Sequence, residues 1–324
     1  MKSIMTVQGP VCPDSLGFCQ SHEHLLLSKG VSYERNQDLL MDDIEKSTLE
    51  ARRLLSAGGK TIVDAQPGGC NRMESGLLKI SKTTGLHIVA STGFHKLCFY
   101  PENHWLYTKS EEQLTRIFLN ELTKGMYTDI DKKFHEHRIQ AKAGIVKMAL
   151  DREGLTPIYQ KLFSAGTKAA VTARVPIMIH VEQGSDPQAL LKFLMKSGAE
   201  PDHMIFCHMD RAVNDLNVHK QLLSQGAFLE YDTIGRFKYH DDDREAEIFR
   251  TILDEGYEEQ LLFSLDTTRA RLKAYDSNAV GLDYLLTTFV PFLMKYGIEE
   301  KQIKKISHDN FVRVFTKGYG NSSI

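Results

Sequence analysis

Ser21-His22-Glu23-His24 closes the apolar run Leu16-Gly17-Phe18-Cys19. Two histidines separated by one residue present their rings on the same side only if the backbone is extended, because side chains alternate faces along a strand. On a helix the pair would diverge by about 200°. Neutral imidazole is the commonest protein ligand for borderline divalent metals such as zinc. The pair is therefore half of a metal site at a strand end, or a surface pair of histidines if nothing joins it. Candidates to join it lie far apart in the chain. They are Lys147 in Ile145-Val146-Lys147-Met148-Ala149, His180 in Ile177-Met178-Ile179-His180-Val181-Glu182, His208 in Ile205-Phe206-Cys207-His208 and Asp266 in Phe263-Ser264-Leu265-Asp266. Any one of these histidines alone reads as a hydrogen-bonded core residue; four histidines and an aspartate on one rim do not read as packing. A lysine between Val146 and Met148 in a buried strand must be paired, neutralised or modified. It could form a salt bridge, a Schiff base, or a carbamate with carbon dioxide. The carbamate is an anionic two-oxygen group able to bridge metals about 3.5–4 Å apart. A Schiff base would leave the histidines without a role.

The elements that must position these groups are legible as an alternation. Short apolar runs at Phe18 to His24, Thr61 to Ala65, Leu86 to Thr92, Ala143 to Ala149, Pro176 to Glu182, Met204 to His208, Ala227 to Tyr231 and Leu261 to Asp266 are continuous rather than alternating. That pattern marks strands buried on both faces of a parallel sheet. Between them lie helical patterns: Met41 to Leu55, Arg72 to Thr83, Glu111 to Lys124, Thr156 to Ala173, Asp186 to Ser197, Val213 to Ser224, Asp242 to Glu255 and Val280 to Tyr296. Eight strands each followed by a helix predict a (β/α)₈ TIM barrel, whose chemistry sits at the carboxyl ends of the strands. No G-x-G-x-x-G follows any strand, which disfavours an open dinucleotide-binding sheet. The barrel accounts for 1–324 as one domain, with an extended loop at about 94–142 after strand three. That loop carries His95, Cys98, Phe99, Tyr100, His104, Trp105 and Tyr107, and reads either as a pocket wall or as a satellite apolar cluster. A second H-x-H, His135-Glu136-His137, precedes Lys147 by about ten residues. At roughly 3.3 Å per residue a strand would carry it to the opposite end of the barrel, so it reads as a solvated helix end or turn.

The chain has 324 residues, is 42% hydrophobic and 25% charged, and carries a formal net charge of -2. This near-neutral balance leaves no electrostatic footprint for nucleic acid or an anionic membrane, and no run is long and apolar enough to span a bilayer. Five cysteines without C-x-x-C spacing and a start lacking an apolar signal core suggest reduced thiols and a cytoplasmic location. Base rates allow a homodimer.

The ordered set His22, His24, Lys147, His180, His208 and Asp266 closely resembles the amidohydrolase superfamily. The Lys147 to Ala149 segment, the early Gly-Pro and "HEHL" at His22 to Leu25 resemble its phosphotriesterase-like branch. Asp266-Thr267-Thr268-Arg269 with Arg271 is similar to microbial lactonases acting on phosphorylated sugar lactones. The branch commonly carries Asn-Pro near its end, where this chain has Asp309-Asn310-Phe311, a departure expected in a terminal turn. The resemblance implies two divalent metals, zinc favoured and manganese or cobalt possible. It assigns His22, His24 and Asp266 to the more buried ion and His180 and His208 to the more exposed one. N6-carboxylated Lys147 and a hydroxide would bridge them. It further implies attack by that hydroxide on a lactone carbonyl, with Asp266 shuttling the proton. Arg236, Lys238, Arg269, Arg271 and Lys273 on the loops after strands seven and eight suggest a phosphorylated small-molecule substrate. Tyr231, Phe237, His95, Tyr100 and Tyr275 are candidate pocket walls. A phosphotriester, an acyl-homoserine lactone or an amide remain alternatives at the same site. A Schiff-base aldolase or lyase using Lys147 is the alternative from another class.

Overall fold

The computed structural model describes residues 2–316. Eight parallel strands follow one another in chain order around the sheet: β1 Phe18–Glu23, β2 Gly59–Asp64, β3 His87–Gly93, β4 Ile145–Leu150, β5 Ile177–Val181, β6 Met204–Cys207, β7 Phe228–Tyr231 and β8 Leu261–Phe263. The expected (β/α)₈ barrel is what forms. Alternate residues of the strands, among them Cys19, Val63, Val89, Ile145, Met178, Ile205, Phe228 and Leu262, make one buried cluster inside the ring. The other face of each strand joins the larger cluster shared with the helices, as expected for strands covered on both sides.

The principal helices between and after the strands are α1 Ile44–Ser56, α2 Glu74–Thr84, α3 Glu111–Thr123, α4 Pro157–Ala173, α5 Pro187–Lys196, α6 Leu216–Ser224, α7 Asp242–Asp254 and α8 Val290–Lys295. Their starts are chemically marked: Asp43, Ser110, Asp186, Asp215 and Asp241 each accept a hydrogen bond from a backbone N–H of the first turn, satisfying donors that have no intrahelical partner. Helix α8 begins later than its pattern suggested, with a π-helical turn at Leu285–Phe289. Asn310 lies in a helix, Asn310–Thr316, rather than a terminal turn. Its Nδ2 donates to the carbonyls of Glu258 (2.9 Å) and Leu261 (2.8 Å), pinning the start of β8.

Side chains stitch β8 to β1. His22 N donates to Ser264 Oγ (2.8 Å), Asp266 N to the His22 carbonyl (3.1 Å) and His24 N to Thr267 Oγ1 (3.1 Å). The Glu23 carboxylate accepts from Ser264 Oγ (2.7 Å), Leu265 N (2.9 Å) and Thr267 N (3.2 Å). The expected strand to Asp266 stops at Phe263, and Ser264 to Asp266 are held by side chains together with the backbone bonds of Ser264 N to the Tyr231 carbonyl and Asp266 N to the His22 carbonyl. At the end of β3, Gly93 has φ +109°, and a Cβ there would stand 2.0 Å from the Lys147 carbonyl. Only glycine lets the two strands approach so closely at this point.

The long segment after β3 supplies the expected pocket wall but no satellite cluster. His95, Lys96 and Phe99 face the cleft at the barrel mouth. Trp105 and Tyr127 pack on Phe134, and Tyr100 on His104, and these rings are continuous with the main core between barrel and helices. His135-Glu136-His137 lies in irregular chain after a turn. Because β4 begins only at Ile145, the strand extrapolation does not reach it, and neither histidine lines the cleft. No helix among the described residues is long and apolar enough to cross a membrane.

Candidate metal centre

The carboxyl ends of β1, β4, β5, β6 and β8 bring their polar residues together. Ring centroids lie 5.6 Å apart for His22 and His24, 4.8 Å for His22 and His208, and 4.5 Å for His180 and His208. Lys147 is fully buried, with Nζ 3.3 Å from His22 Nε2 and no salt bridge to any described carboxylate. Asp266 Oδ1 stands 3.6 Å from His22 Nε2 and 3.5 Å from His24 Nε2. His22, His24, Lys147, His208 and Asp266 thus converge, and the His180 ring stands beside His208 with its Nε2 turned to Glu182 Oε2 at 3.2 Å. Two of them, His208 at φ +62° and Asp266 at φ +49°, occupy the left-handed region, a strained choice for residues with side chains.

Carboxylates behind the rings fix their orientation. His208 Nδ1 lies 2.7 Å from Asp232 Oδ1, while its backbone N donates to Asp232 Oδ2 (3.1 Å). His22 Nδ1 lies 3.2 Å from Glu230 Oε2. Each Nε2 is thereby left to face the centre, the arrangement of a metal-ligating histidine with its outer partner. Burial holds His22 and His208 well below the ordinary histidine range and pulls His180 down to about 4, so the rings are neutral and keep a lone pair to give. Burial alone would raise the Asp266 carboxyl, but the Arg236 and Arg211 guanidiniums outweigh it and hold it well below the usual range. A cluster of uncharged imidazoles, an anionic carboxylate and a lysine without an anionic partner fits a pair of divalent cations.

Of the other expected residues, His95, Arg236 and Lys238 line the cleft. His95 Nδ1 accepts from Lys96 N (2.7 Å), and its ring sits 5.3 Å from His180. Tyr231, Tyr100 and Tyr275 do not form its walls. Strand alternation turns Glu230 inward, so Tyr231 points outward to Phe249 and His219. The Tyr100 hydroxyl is spent on His95 N (2.8 Å), and that of Tyr275 on Ser47 and the Asp43 carbonyl. Arg269 and Arg271 are also outside the cleft lining. The Arg269 guanidinium lies over the Tyr275 ring, 5.6 Å from its centroid. Arg271 is buried, its Nη2 donating to the Ile234 carbonyl (2.5 Å). Phe237 is an exposed side chain.

Sequence reasoning missed Arg211, Tyr239, Glu230 and Asp232. Arg211 donates to Asp266 Oδ2 (3.0 Å), as Arg236 does (2.7 Å), and both guanidiniums lie near the ring of Tyr239. Glu230 was findable by the reasoning applied to Lys147, being a charged residue between Leu229 and Tyr231 in a buried strand. Nothing in spacing alone marks Arg211.

Residues 2–315 match the model of the phosphotriesterase family. A phospho-furanose lactonase of Mycoplasmopsis synoviae (strain 53) is 27% identical over 97% of this chain and 91% of its own length. An N-acetyltaurine hydrolase of Xenopus tropicalis is 26% identical over 95% of this chain and 96% of its own. The crystal structure of a lactonase from Listeria monocytogenes superposes with a TM-score of 0.88 at 30% identity, covering 97% of this chain and 99% of that one.

Proposed function

The chain belongs to the phosphotriesterase family of metal-dependent hydrolases, and from that premise we propose that it opens the ring of a phosphorylated sugar lactone. His22, His24 and Asp266 would hold the more buried divalent ion and His180 and His208 the more exposed one. Lys147, carboxylated on Nζ, would be shared between them. Zinc suits this imidazole and carboxylate set, and manganese or cobalt is compatible with it. When bound, such a pair acidifies water to neutral pKa and polarises a carbonyl oxygen.

The chain's own residues then have separable tasks. Glu230 and Asp232 keep the His22 and His208 rings aimed inward. Lys147, without a carboxylate partner, can lose a proton and add carbon dioxide to become a second anion beside Asp266 among neutral rings. Asp266 is the group placed to take a proton from water and return it to the leaving alkoxide. Its two arginine contacts oppose that task, since a carboxylate held by two guanidiniums is a weak base. A substrate phosphate that draws Arg236 onto itself would release one of them and raise the basicity of Asp266 as the substrate seats.

The observation that carries the anionic substrate is the pair Arg236 and Lys238 on the cleft wall beside Asp266. The names of relatives support the lactone: two of those most similar are phospho-furanose lactonases. An amide of a small acid is the second reading, favoured by the N-acetyltaurine hydrolase relatives. A panel of furanose lactones with and without phosphate, together with N-acetylated amino-sulfonates and phosphotriesters, tests the choice. The phosphorylated lactones should have the highest kcat/KM. A preference for unphosphorylated apolar lactones, or for the amides, would refute it. Within the cell the unpaired cysteines suit a cytoplasmic setting, and a homodimer is the form we expect.

A further inference from the structure

Asp210, His240 and Glu245 form a second cluster that the hydrolytic reading leaves unused. Each offers one ligand atom, and these atoms lie within 4.8 Å of one another. Asp210 follows β6, His240 ends the loop after β7, and Glu245 stands in the first turns of α7. Glu245 is fully buried and neither of its carboxylate oxygens accepts a hydrogen bond. Its Oε2 instead faces His240 Nε2 at 3.3 Å.

The tautomer of His240 decides what that contact means. Its Nδ1 lies 3.1 Å from the Asp241 carbonyl oxygen. A carbonyl only accepts, so Nδ1 carries the hydrogen. The neutral ring then turns the lone pair of Nε2 toward a carboxylate that also has only lone pairs to offer. Two such atoms at this distance need a proton or a cation between them: a proton on the ring, a proton on Glu245, whose carboxyl is pushed well above the usual range by burial and by Asp210, or a cation. The surrounding charge favours the cation. Asp210 and Glu245 are both buried beside each other, and the nearby guanidinium, Arg211, is already engaged by Asp232 and Asp266. A single proton, on the ring or on Glu245, leaves the other buried charge without a partner, whereas a divalent ion balances both carboxylates. A ring nitrogen donating to a backbone carbonyl while the other faces carboxylates is the outer-partner arrangement of metal-bound histidine.

We propose that Asp210, His240 and Glu245 bind a further divalent cation, separate from the pair in the cleft, which fastens the loop after β7 to α7. Imidazole with two carboxylates selects a borderline ion such as zinc over calcium or magnesium. The loop in question carries Arg236, Lys238 and Tyr239, which line the cleft. Asp210 already grips its start through Thr233 N (2.5 Å), and Asp242 holds Gly235 N (2.8 Å). The ion would tie the far end of the same loop at His240, so its role is to order the residues that meet the substrate's anionic group.

Full-length wild type, Glu245→Gln and His240→Asn are stripped with chelator, reloaded with zinc, desalted and counted by inductively coupled plasma mass spectrometry. Each variant is expected to hold one zinc per chain fewer than wild type. Equal counts in all three overturn the proposal and leave a proton, on His240 or on Glu245, to bridge the contact. Because the readout is a difference, it is independent of the cleft: if the cleft holds no metal, wild type binds one ion and the variants none. His240 is partly exposed, so its variant carries the measurement should Glu245→Gln fail to fold.

Discussion

Replacing Glu23 by glutamine tests how the barrel seam holds the metal ligands on either side of it. The carboxylate is fully buried and accepts three hydrogen bonds from Ser264, Leu265 and Thr267. A glutamine of the same size has one accepting oxygen, and its NH₂ must face a backbone N–H. One or two buried donors are left unpaired, each costing about 1–3 kcal/mol, for a total on the order of 2–4 kcal/mol. With an unfolding entropy of roughly 2.1 cal/mol/K per residue, a chain of 324 residues should lose about 3–6 °C in Tm. The same change loosens Asp266 from the His22 carbonyl, so the metal-loaded protein should release metal faster to a chelator. Differential scanning calorimetry and a competition with a chromogenic chelator measure the two effects. Glu136→Gln, in the exposed His135-Glu136-His137 copy of the same tripeptide, is the internal control and should change neither. A Glu23→Gln protein that melts within about 1 °C of wild type and holds its metal equally well would refute the side-chain seam.

Three further outcomes are expected. Lys147→Ala should lose metal and turnover, and short carboxylic acids that stand in for the carbamate should restore part of both; restoration by primary amines instead would point to a Schiff base. Arg236→Ala should raise KM for phosphorylated lactones roughly 10- to 100-fold, the worth of about 1.5–3 kcal/mol for a charge-assisted hydrogen bond, while leaving KM for unphosphorylated ones unchanged; equal effects on both would remove the phosphate from the account. His104 reports on the aromatic cluster after β3: burial pulls its pKa from 6.5 down to about 4. Because the folded value is the lower one, the unfolded chain binds the proton first, so the contribution is complete above pH 6.5 and is lost as pH falls toward 4, about 3 kcal/mol in all. Trp105, the single tryptophan, lies 4.7 Å from that ring. Its fluorescence should be flat above pH 6.5 and change on acidification, and His104→Asn should abolish the change; an unaltered acid transition in the variant would assign it elsewhere.

Much of this architecture was legible because the chemistry that makes it is local. Eight continuous apolar runs between amphipathic stretches can be read directly as buried parallel strands, and a histidine or lysine at the end of such a run has only the barrel mouth to occupy. The residues that were misplaced depend on directions that the run does not carry. Tyr231 sits one residue after an inward-facing Glu230, so alternation sends it out to Phe249. Arg271 follows Asp266 closely in the chain but is turned toward the Ile234 carbonyl, which no spacing rule anticipates. Arg211 came from the short helix Met209–Ala212 after β6, where the sequence offered a basic residue among several and only the fold brought it to Asp266. The stop of β8 at Phe263 likewise reflects a tertiary event, the capture of Ser264 to Thr267 by Glu23.

Diffraction from the metal-loaded protein across the zinc absorption edge tests the central claim most directly. Two anomalous peaks should lie within bonding distance of His22, His24, His180, His208 and Asp266, with added density on Lys147 Nζ touching both. A map with an unmodified lysine and no anomalous peak among those side chains would contradict it.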